Sequence, residues 1–289
     1  MQAVVEVVVP GFSFFRPHPR VADIIEAIWD IDLPDASSAQ AIAFKVLPAA
    51  SPTLCVHYRA PAGSNQRVNP GSCRQRMTGV QTGAITVRPT GPMGAVIVHL
   101  KPEAACRVMG GDMDEFTDAN IGLSDLFSPT EVALLEEMLG EAADAVRRAE
   151  RIQAFLLARI RGETPDTLVR RAVLQLCRNP NWSVPRLAAT LDISERQLSR
   201  RFHAMVGTNL KQFARVVRIG KAIAARRRGW SWADIAYACG FSDQAHLIHD
   251  FKFMTGDPPE TLFRTAATAE HGGLNASLAA SGFYNTFVT

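Results

Sequence analysis

Three polar side chains in the C-terminal half have the types and the spacing of a recognition surface. Arg196, Ser199 and Arg200 lie three and four residues apart, so a helix through this segment presents them as one stripe. A guanidinium group donates hydrogen bonds in a fixed fork that matches planar acceptors such as phosphates and base edges. The chemistry that these residues offer is therefore the binding of an anionic partner with hydrogen-bond acceptors.

The basic charge of the chain is concentrated around this stripe. The whole chain carries a net charge of +3, with −3 on residues 1–161 and +6 on residues 162–289. Residues 182–229 hold 11 basic and 2 acidic side chains, whereas residues 230–264 hold 2 basic and 5 acidic ones. Such a local excess favours a polyanion as the partner, most commonly a nucleic acid. An ordinary solvated helix face is the alternative that charge alone leaves open.

An internal repeat supplies the elements that must position the stripe. Residues 187–207 and 235–256 share an apolar-Ala pair on a short helix, a tight turn, and a second helix with Leu and Phe four residues apart. Two helices joined by a short turn in this way form a helix-turn-helix unit, whose second helix enters the major groove of DNA. We therefore expect two units, at about residues 183–207 and 231–256.

The rest of the chain predicts a strand-rich first part and a wholly helical second part. Helix-starting prolines and cap residues mark seven helical segments between Pro165 and Arg264. The first hundred residues predict short strands separated by Gly and Pro, at Val4–Val9, Ala41–Leu47, Leu54–Arg59, Arg74–Val80, Ala84–Arg88 and Ala95–Leu100. One amphipathic helix interrupts them behind Pro19, with its apolar positions at Val21, Ile24, Ile25, Ile28 and Trp29.

Two further helices are expected between these parts. Ser128 and Glu131 form a capping box for a helix to Leu139, and a second helix runs from Glu141 to Arg161. Their apolar surface exceeds what a linker needs, so we expect self-association to a homodimer through Leu134, Leu135, Met138, Ile152, Phe155 and Leu156.

Residues from about 165 to 265 resemble the DNA-binding domain of the AraC/XylS family of bacterial transcription regulators. The matching positions are Leu187-Ala188, Ile193-Ser194, Leu198-Ser199-Arg200, Phe202, Gly207, Arg218-Ile219, Ala222, Ile235-Ala236, Gly240-Phe241-Ser242-Asp243-Gln244, Phe251-Lys252, Gly256, Pro259 and Phe263-Arg264. The resemblance implies seven helices and two helix-turn-helix units joined by a long helix. It implies base-reading positions at Arg196, Ser199 and Arg200, and at Gln244, His246, Ile248 and His249.

The chain departs from the family pattern in its second unit. Leu247 stands where the family often has Phe, His249 stands where it often has Arg, and the adjacent Asp250 adds a negative charge. We expect Lys211 and Lys252 to contact phosphates, which supply most of the affinity of such proteins.

The N-terminal part resembles the sensor domains of one branch of the same family in the run from Arg16-Pro17-His18-Pro19 through Trp29, in Lys45-Val46-Leu47-Pro48, and in the helices around Leu134. The resemblance implies a cupin-like barrel over residues 1–161 that binds a small molecule or dimerises. Arg59, Arg74, Arg76 and Arg88 lie on or beside predicted strands and form a candidate site for an anionic effector, although a position on the solvent face of the sheet is the favoured explanation for them. A metal is not expected, because His18, His57 and His99 stand alone. We expect no other cofactor, because no catalytic set or phosphate loop is present.

The predicted fold is α+β in two domains: a small N-terminal cupin-like β-barrel with flanking helices at 1–161, and an all-α DNA-binding domain at 162–265, followed by a flexible tail at 266–289. The predicted function is a cytoplasmic, non-enzymatic transcription regulator that binds double-stranded DNA, a small-molecule effector and RNA polymerase. No apolar run approaches the ~20 residues of a membrane helix. Two alternative functions remain open: an enzyme with a barrel active site and a DNA-binding tail, and a helical domain that binds protein.

Overall fold

The computed structural model describes residues 5–9, 11–35, 44–64, 75–162 and 166–267. Strands occur in the N-terminal part, and from residue 167 onward the described chain is helical. Arg74 and Pro165 lie outside the described residues, as do residues 41–43 of one expected strand and nearly all of the expected tail.

The N-terminal part contains two antiparallel sheets. Its strands are β1 (Val5–Val9), β2 (Phe12–Phe15), β3 (Ile25–Leu33), β4 (Phe44–Val46), β5 (Thr53–His57), β6 (Ala62–Ser64), β7 (Gln75–Thr78), β8 (Ile85–Pro89), β9 (Met93–Leu100) and β10 (Asn120–Gly122). The larger sheet has the order β1-β2-β3-β9-β5-β7-β10, and the smaller has the order β4-β8-β6. The six strands expected from sequence are present with shifted ends, while β2, β3, β6 and β10 are additional to them.

The two sheets pack face to face, and the expected closed barrel is wrong for the described strands. Val87 of the smaller sheet lies in one apolar cluster with Cys55 and Ala95 of the larger sheet. Among the described strands, β1 pairs only with β2 and β10 pairs only with β7, so the larger sheet stays open. Spacing of short strands does not determine whether the outer strands meet, because closure depends on tilt and register.

The helix expected behind Pro19 is also wrong, because Ile25 to Leu33 form the long strand β3. A single helical turn remains before it, where the Ile25 amide donates to the Val21 carbonyl at 2.8 Å. β3 lies between β2 and β9, and both of its faces are buried: Ile28 on one and Trp29 on the other. A strand buried on both faces is apolar nearly throughout, so a subset of its residues imitates helical spacing.

Three α-helices follow the sheets: α1 (Cys106–Met109), α2 (Pro129–Gly140) and α3 (Ala145–Leu157). The capping box before α2 is confirmed. The Ser128 hydroxyl accepts from the Glu131 amide, and the Glu131 carboxylate accepts from the Ser128 amide at 3.1 Å. The last helix is shorter than expected, because Asp144 caps its start.

The apolar faces of α2 and α3 are used within the chain. Leu135, Ile152 and Leu156 are at most 1% exposed and pack against one face of the larger sheet. Of the residues expected to drive self-association, Leu134 keeps a large exposed surface, at 53%. Four of the six residues expected at a dimer surface, Leu135, Ile152, Phe155 and Leu156, are therefore buried within the chain, because the sequence could not show that the sheet needs this cover. Self-association itself stays a prediction.

Seven helices make up the C-terminal part, as expected: α4 (Thr167–Arg178), α5 (Val184–Thr190), α6 (Glu195–Val206), α7 (Leu210–Arg227), α8 (Trp232–Ala238), α9 (Gln244–Thr255) and α10 (Pro259–Ala267). They enclose two apolar cores, one around α6 and one around α9, with α7 contributing to both. The long helix α7 therefore joins the two repeated halves.

The N-terminal part contributes side chains to both helical cores. Val80 is fully buried in the core around α6, and Leu47 is 2% exposed in the core around α9. The Thr117 hydroxyl donates to the Gly207 carbonyl at 2.9 Å, and the Ala84 amide donates to the Met254 carbonyl at 2.8 Å. The N-terminal part thus holds the C-terminal ends of both α6 and α9.

Gly207 and Gly256 occupy equivalent left-handed positions after these helices, so they provide a matched test of that contact. A Cβ at Gly207 (φ 86°) would lie 2.2 Å from the Met113 carbonyl oxygen, whereas a Cβ at Gly256 (φ 82°) would meet nothing closer than 3.7 Å. Both Ala substitutions cost about 1–2 kcal/mol of left-handed strain. We expect Gly207→Ala to lower the free energy of unfolding by about 1–3 kcal/mol more than Gly256→Ala in urea denaturation. Equal losses would contradict the close approach at Gly207.

Candidate nucleic-acid interface

The first helix-turn-helix unit is built from α5 and α6. Ser183 caps α5 by accepting from the Arg186 amide, and Ser194 caps α6 by accepting from the Gln197 amide, each at 3.3 Å. Between them the backbone turns at Asp192, whose φ is 53°. Because these two caps and the left-handed residue depend only on nearby residues, the local sequence is enough to specify the turn.

The second unit, α8 and α9, repeats this backbone arrangement. Gly240 has φ 70° at the position equivalent to Asp192, and Asp243 caps α9 by accepting from the His246 amide at 2.7 Å. The Phe241 amide donates to the Ala236 carbonyl at 2.9 Å, and the first unit has the same bond from Ile193 at 3.1 Å. The internal repeat of the sequence is therefore confirmed as a repeat of structure.

The outward stripe of α6 carries the expected residues. Arg196, Ser199 and Arg200 are exposed, and none of their side chains forms a hydrogen bond or ion pair with a described residue. Leu198 and Phe202 on the opposite side are fully buried. The stripe thus presents two free guanidinium groups to solvent on a helix that its own core fixes in place.

The outward side of α9 is more apolar than that of α6. Gln244 and His249 are exposed, and the His249 side chain is 78% exposed. Ala245 and Ile248 are exposed between them, and sequence reasoning overlooked Ala245. His246 is engaged within the protein, because its Nδ1 lies 3.1 Å from the Ser242 hydroxyl.

Asp250 does not lie on this outward side. It is 6% exposed, and its carboxylate accepts from Arg215 of α7 at 2.8 Å and 3.3 Å. Arg218 of the same helix lies 4.0 Å away. Asp250 therefore does not face DNA, because this carboxylate is the internal counterion of the linking helix.

The two expected phosphate-binding lysines both lie at the surface. Lys211 is exposed in the first turn of α7, and Lys252 is exposed on α9. Neither forms an ion pair with a described residue. In the first unit, the guanidinium carbon of Arg186 on α5 lies 4.3 Å from the centre of the Trp182 ring.

The arginines proposed for an effector site do not converge. Arg59 is exposed and pairs with Asp32 at 3.0 Å. Arg88 is exposed next to the inward-facing Val87, so it lies on the outer face of the smaller sheet. Arg76 pairs in register with Cys55 and therefore faces the space between the sheets, where it is 9% exposed and its Nη1 lacks a hydrogen-bond partner. The idea of one arginine-lined face is wrong for Arg88, and Arg74 lies outside the described residues.

Within the described residues, no three His, Cys, Asp or Glu side chains are grouped closely enough to hold a metal ion. His99 is half-buried, and desolvation lowers the pKa of its imidazole to about 3. In the same part of the chain, no helix combines the length and apolarity needed to span a membrane.

Two family models match parts of this sequence. One is described as a helix-turn-helix domain and matches residues 187–265. The other is described as a domain of unknown function (DUF6597) and matches residues 13–122. No curated protein matches the chain.

Several solved structures are similar in fold. An apo variant of ToxT from Vibrio cholerae is 12% identical, with 81% of this chain and 95% of ToxT covered and a TM-score of 0.47. ToxT from Vibrio cholerae with a bound unsaturated fatty acid is 14% identical, with 83% and 94% covered and a TM-score of 0.44. The AraC-like transcriptional activator CuxR is 13% identical, with 75% and 79% covered and a TM-score of 0.28.

Two repeated helix pairs on one linking helix, joined to a sheet domain, define a double helix-turn-helix protein. Residues 187–265 match a helix-turn-helix domain of the AraC type.

Proposed function

We propose that this protein is a transcription regulator that binds duplex DNA at specific sequences, with α6 and α9 in successive segments of the major groove. The observation that carries the proposal is the stripe of Arg196, Ser199 and Arg200, which is exposed and without protein partners. Arginine forks bind the O6 and N7 acceptors of guanine, so we assign base reading in the first unit to these three residues.

The second unit reads bases with a different chemistry in this proposal. Gln244 offers an amide that suits adenine, and Ala245 and Ile248 offer apolar contact to thymine methyl groups. His249 adds a donor or acceptor, whereas His246 acts mainly by fixing the start of α9 through Ser242. Lys211 and Lys252 bind phosphates, which set register and affinity but carry no sequence information.

The remaining parts of the proposal concern regulation. We assign residues 1–161 to sensing, residues 162–265 to DNA binding and residues 266–289 to a tail. A small-molecule effector acts on the N-terminal part, and RNA polymerase is the protein partner. The contacts of Thr117 and Ala84 with the ends of α6 and α9 give the N-terminal part a direct route to both recognition helices.

The test is to select bound sequences from a random duplex pool with the full chain and to measure their affinity by fluorescence anisotropy. We expect the recovered sequence to bind at least 10³-fold more tightly than a shuffled duplex of the same length at physiological salt. Equal affinity for both duplexes would refute sequence-specific binding. No binding to either duplex would favour a protein-interaction module instead.

Lys211→Ala separates phosphate contact from base reading. We expect it to weaken the recovered and the shuffled duplex by the same factor and to reduce the salt slope by about one, because one phosphate contact is lost. The control is Arg147→Ala on α3, where a side chain that is 64% exposed lies far from the units in sequence. A change in base preference with Lys211→Ala would show that this lysine reads a base.

A further inference from the structure

A cavity of about 410 Å³ lies between the N-terminal part and helices α4 and α7. This volume falls within the range of about 300–1,000 Å³ that is usual for small-molecule sites. Most of its surface is apolar, with walls formed from both parts of the chain by Ile25, Pro48, Val173, Leu174, Val216 and Val217. A molecule in this cavity would contact the sheets and the DNA-binding helices at once.

Two carboxyl groups line the interior of the cavity. Glu103 is 4% exposed. Among the described residues, its carboxylate accepts a hydrogen bond only from its own backbone amide. Glu26 accepts a hydrogen bond from the Ser51 hydroxyl. Neither carboxylate forms an ion pair with a described residue. A buried acid and a half-buried acid, neither of them in an ion pair, are costly to ionise, so the site favours a positively charged occupant.

The basic residues of the cavity are placed differently. Arg16 and Arg170 are exposed, so these two cations lie nearer the mouth than the buried Glu103, whereas Lys101 and Glu26 are both half-buried. Desolvation dominates at the acids: burial raises the pKa of Glu26 to about 7 and also raises that of Glu103, despite Lys101 nearby. The cavity therefore has an acidic interior, apolar walls and a basic rim.

We propose that the cavity binds a small molecule with a primary ammonium group on a short apolar chain, the ammonium lying between Glu26 and Glu103. The ammonium donates hydrogen bonds to both carboxylates, and the alkyl chain packs against the apolar walls. That such a ligand also alters DNA binding rests on the function proposed above, whereas binding itself does not.

The test measures binding to the full chain by isothermal titration calorimetry with three probes of equal chain length. We expect n-hexylamine and 6-aminohexanoate to bind and hexanoate not to bind. Glu103→Gln should weaken hexylamine binding at least tenfold, while the control Glu115→Gln, at an exposed position, should leave it unchanged. Thermal unfolding of each variant establishes that it is folded.

The dependence on pH gives an independent readout. Because the pKa of Glu26 is about 7, its ionised fraction rises about tenfold from pH 6 to pH 8, and we expect the Kd for hexylamine to fall by the same factor. Glu26→Gln should flatten this dependence. The groups that face Glu26 are Ser51, Lys101, Glu103 and Cys177, and burial raises the pKa of the Cys177 thiol to about 12, so it stays protonated.

The outcomes separate this proposal from the proposed function. Hexanoate binding without hexylamine binding would overturn the proposal and indicate an anion site. Such a site would lie between the sheets if Arg76→Met abolished hexanoate binding, and at the basic rim of the cavity if it did not. Hexylamine binding that Glu103→Gln leaves intact would also overturn it. Hexylamine binding in a chain that binds no duplex DNA would support the cavity while refuting the proposed function.

Discussion

Asp250→Arg is expected to lower the free energy of unfolding by about 3–5 kcal/mol, the usual cost of breaking a buried ion pair. The substitution removes the carboxylate that binds Arg215 and places a third cation beside Arg215 and Arg218. All three side chains lie at the contact of α7 with α9, which fixes the second unit to the linking helix. Urea denaturation followed by circular dichroism measures the change.

Glu137→Arg provides the control for Asp250→Arg, because it makes the same change of charge at an exposed position of α2. Exposed substitutions usually change stability by no more than about 0.5 kcal/mol. If Asp250→Arg were as stable as this control and bound DNA more tightly than the wild type, the carboxylate would be an outward repulsive charge after all. Asp250→Asn, which keeps the size of the side chain, should fall between the wild type and Asp250→Arg.

The sequence predicts the helical half well because its signals are local. Ser194 caps α6 by accepting from the amide of Gln197, three residues further along the chain. Gly207 ends that helix in a left-handed conformation that suits glycine. Leu198 and Phe202 keep their spacing whatever the rest of the chain does. A repeat of 48 to 49 residues then doubles every one of these signals, so chance agreement becomes improbable.

The N-terminal half is harder to predict because its structure depends on distant pairing. Trp29 lies in a strand only because β2 and β9 bond to both sides of β3, and the sequence around it does not distinguish this from a helix. The same limit applies to polar residues. Asp250 bonds to an arginine 35 residues away, and Glu26 and Glu103 meet in one cavity although 77 positions separate them.

The two recognition helices differ in how they can bind DNA. The stripe of α6 presents two guanidinium groups without protein partners, while the outward side of α9 presents Gln244, Ala245, Ile248 and His249. Since Asp250 is internal, the second unit is less repulsive to phosphates than its net charge suggests. We therefore assign most of the electrostatic affinity to the first unit and shape and methyl contacts to the second.

Arg196→Ala and Arg200→Ala are each expected to weaken binding of the recovered duplex by roughly 1–3 kcal/mol, or about 5- to 150-fold. Each variant should lose base preference at one base pair only, because each guanidinium fork binds one guanine. At that base pair, the variant should bind the recovered duplex and a duplex with the guanine replaced about equally well. Competition with every single-base variant of the recovered duplex measures this. Affinity for the shuffled duplex should change much less.

Arg201 supplies the matched control on the same helix. It is the neighbour of Arg200, but its Nε donates to Asp166 at 2.7 Å, so its guanidinium is turned toward the start of α4. We expect Arg201→Ala to leave base preference unchanged. If Arg201→Ala relaxed the preference as much as Arg200→Ala, or if neither Arg196→Ala nor Arg200→Ala affected it, α6 would meet DNA with a different face from the one proposed. The exposed stripe would then be a solvated surface, and base reading would have to come from α9.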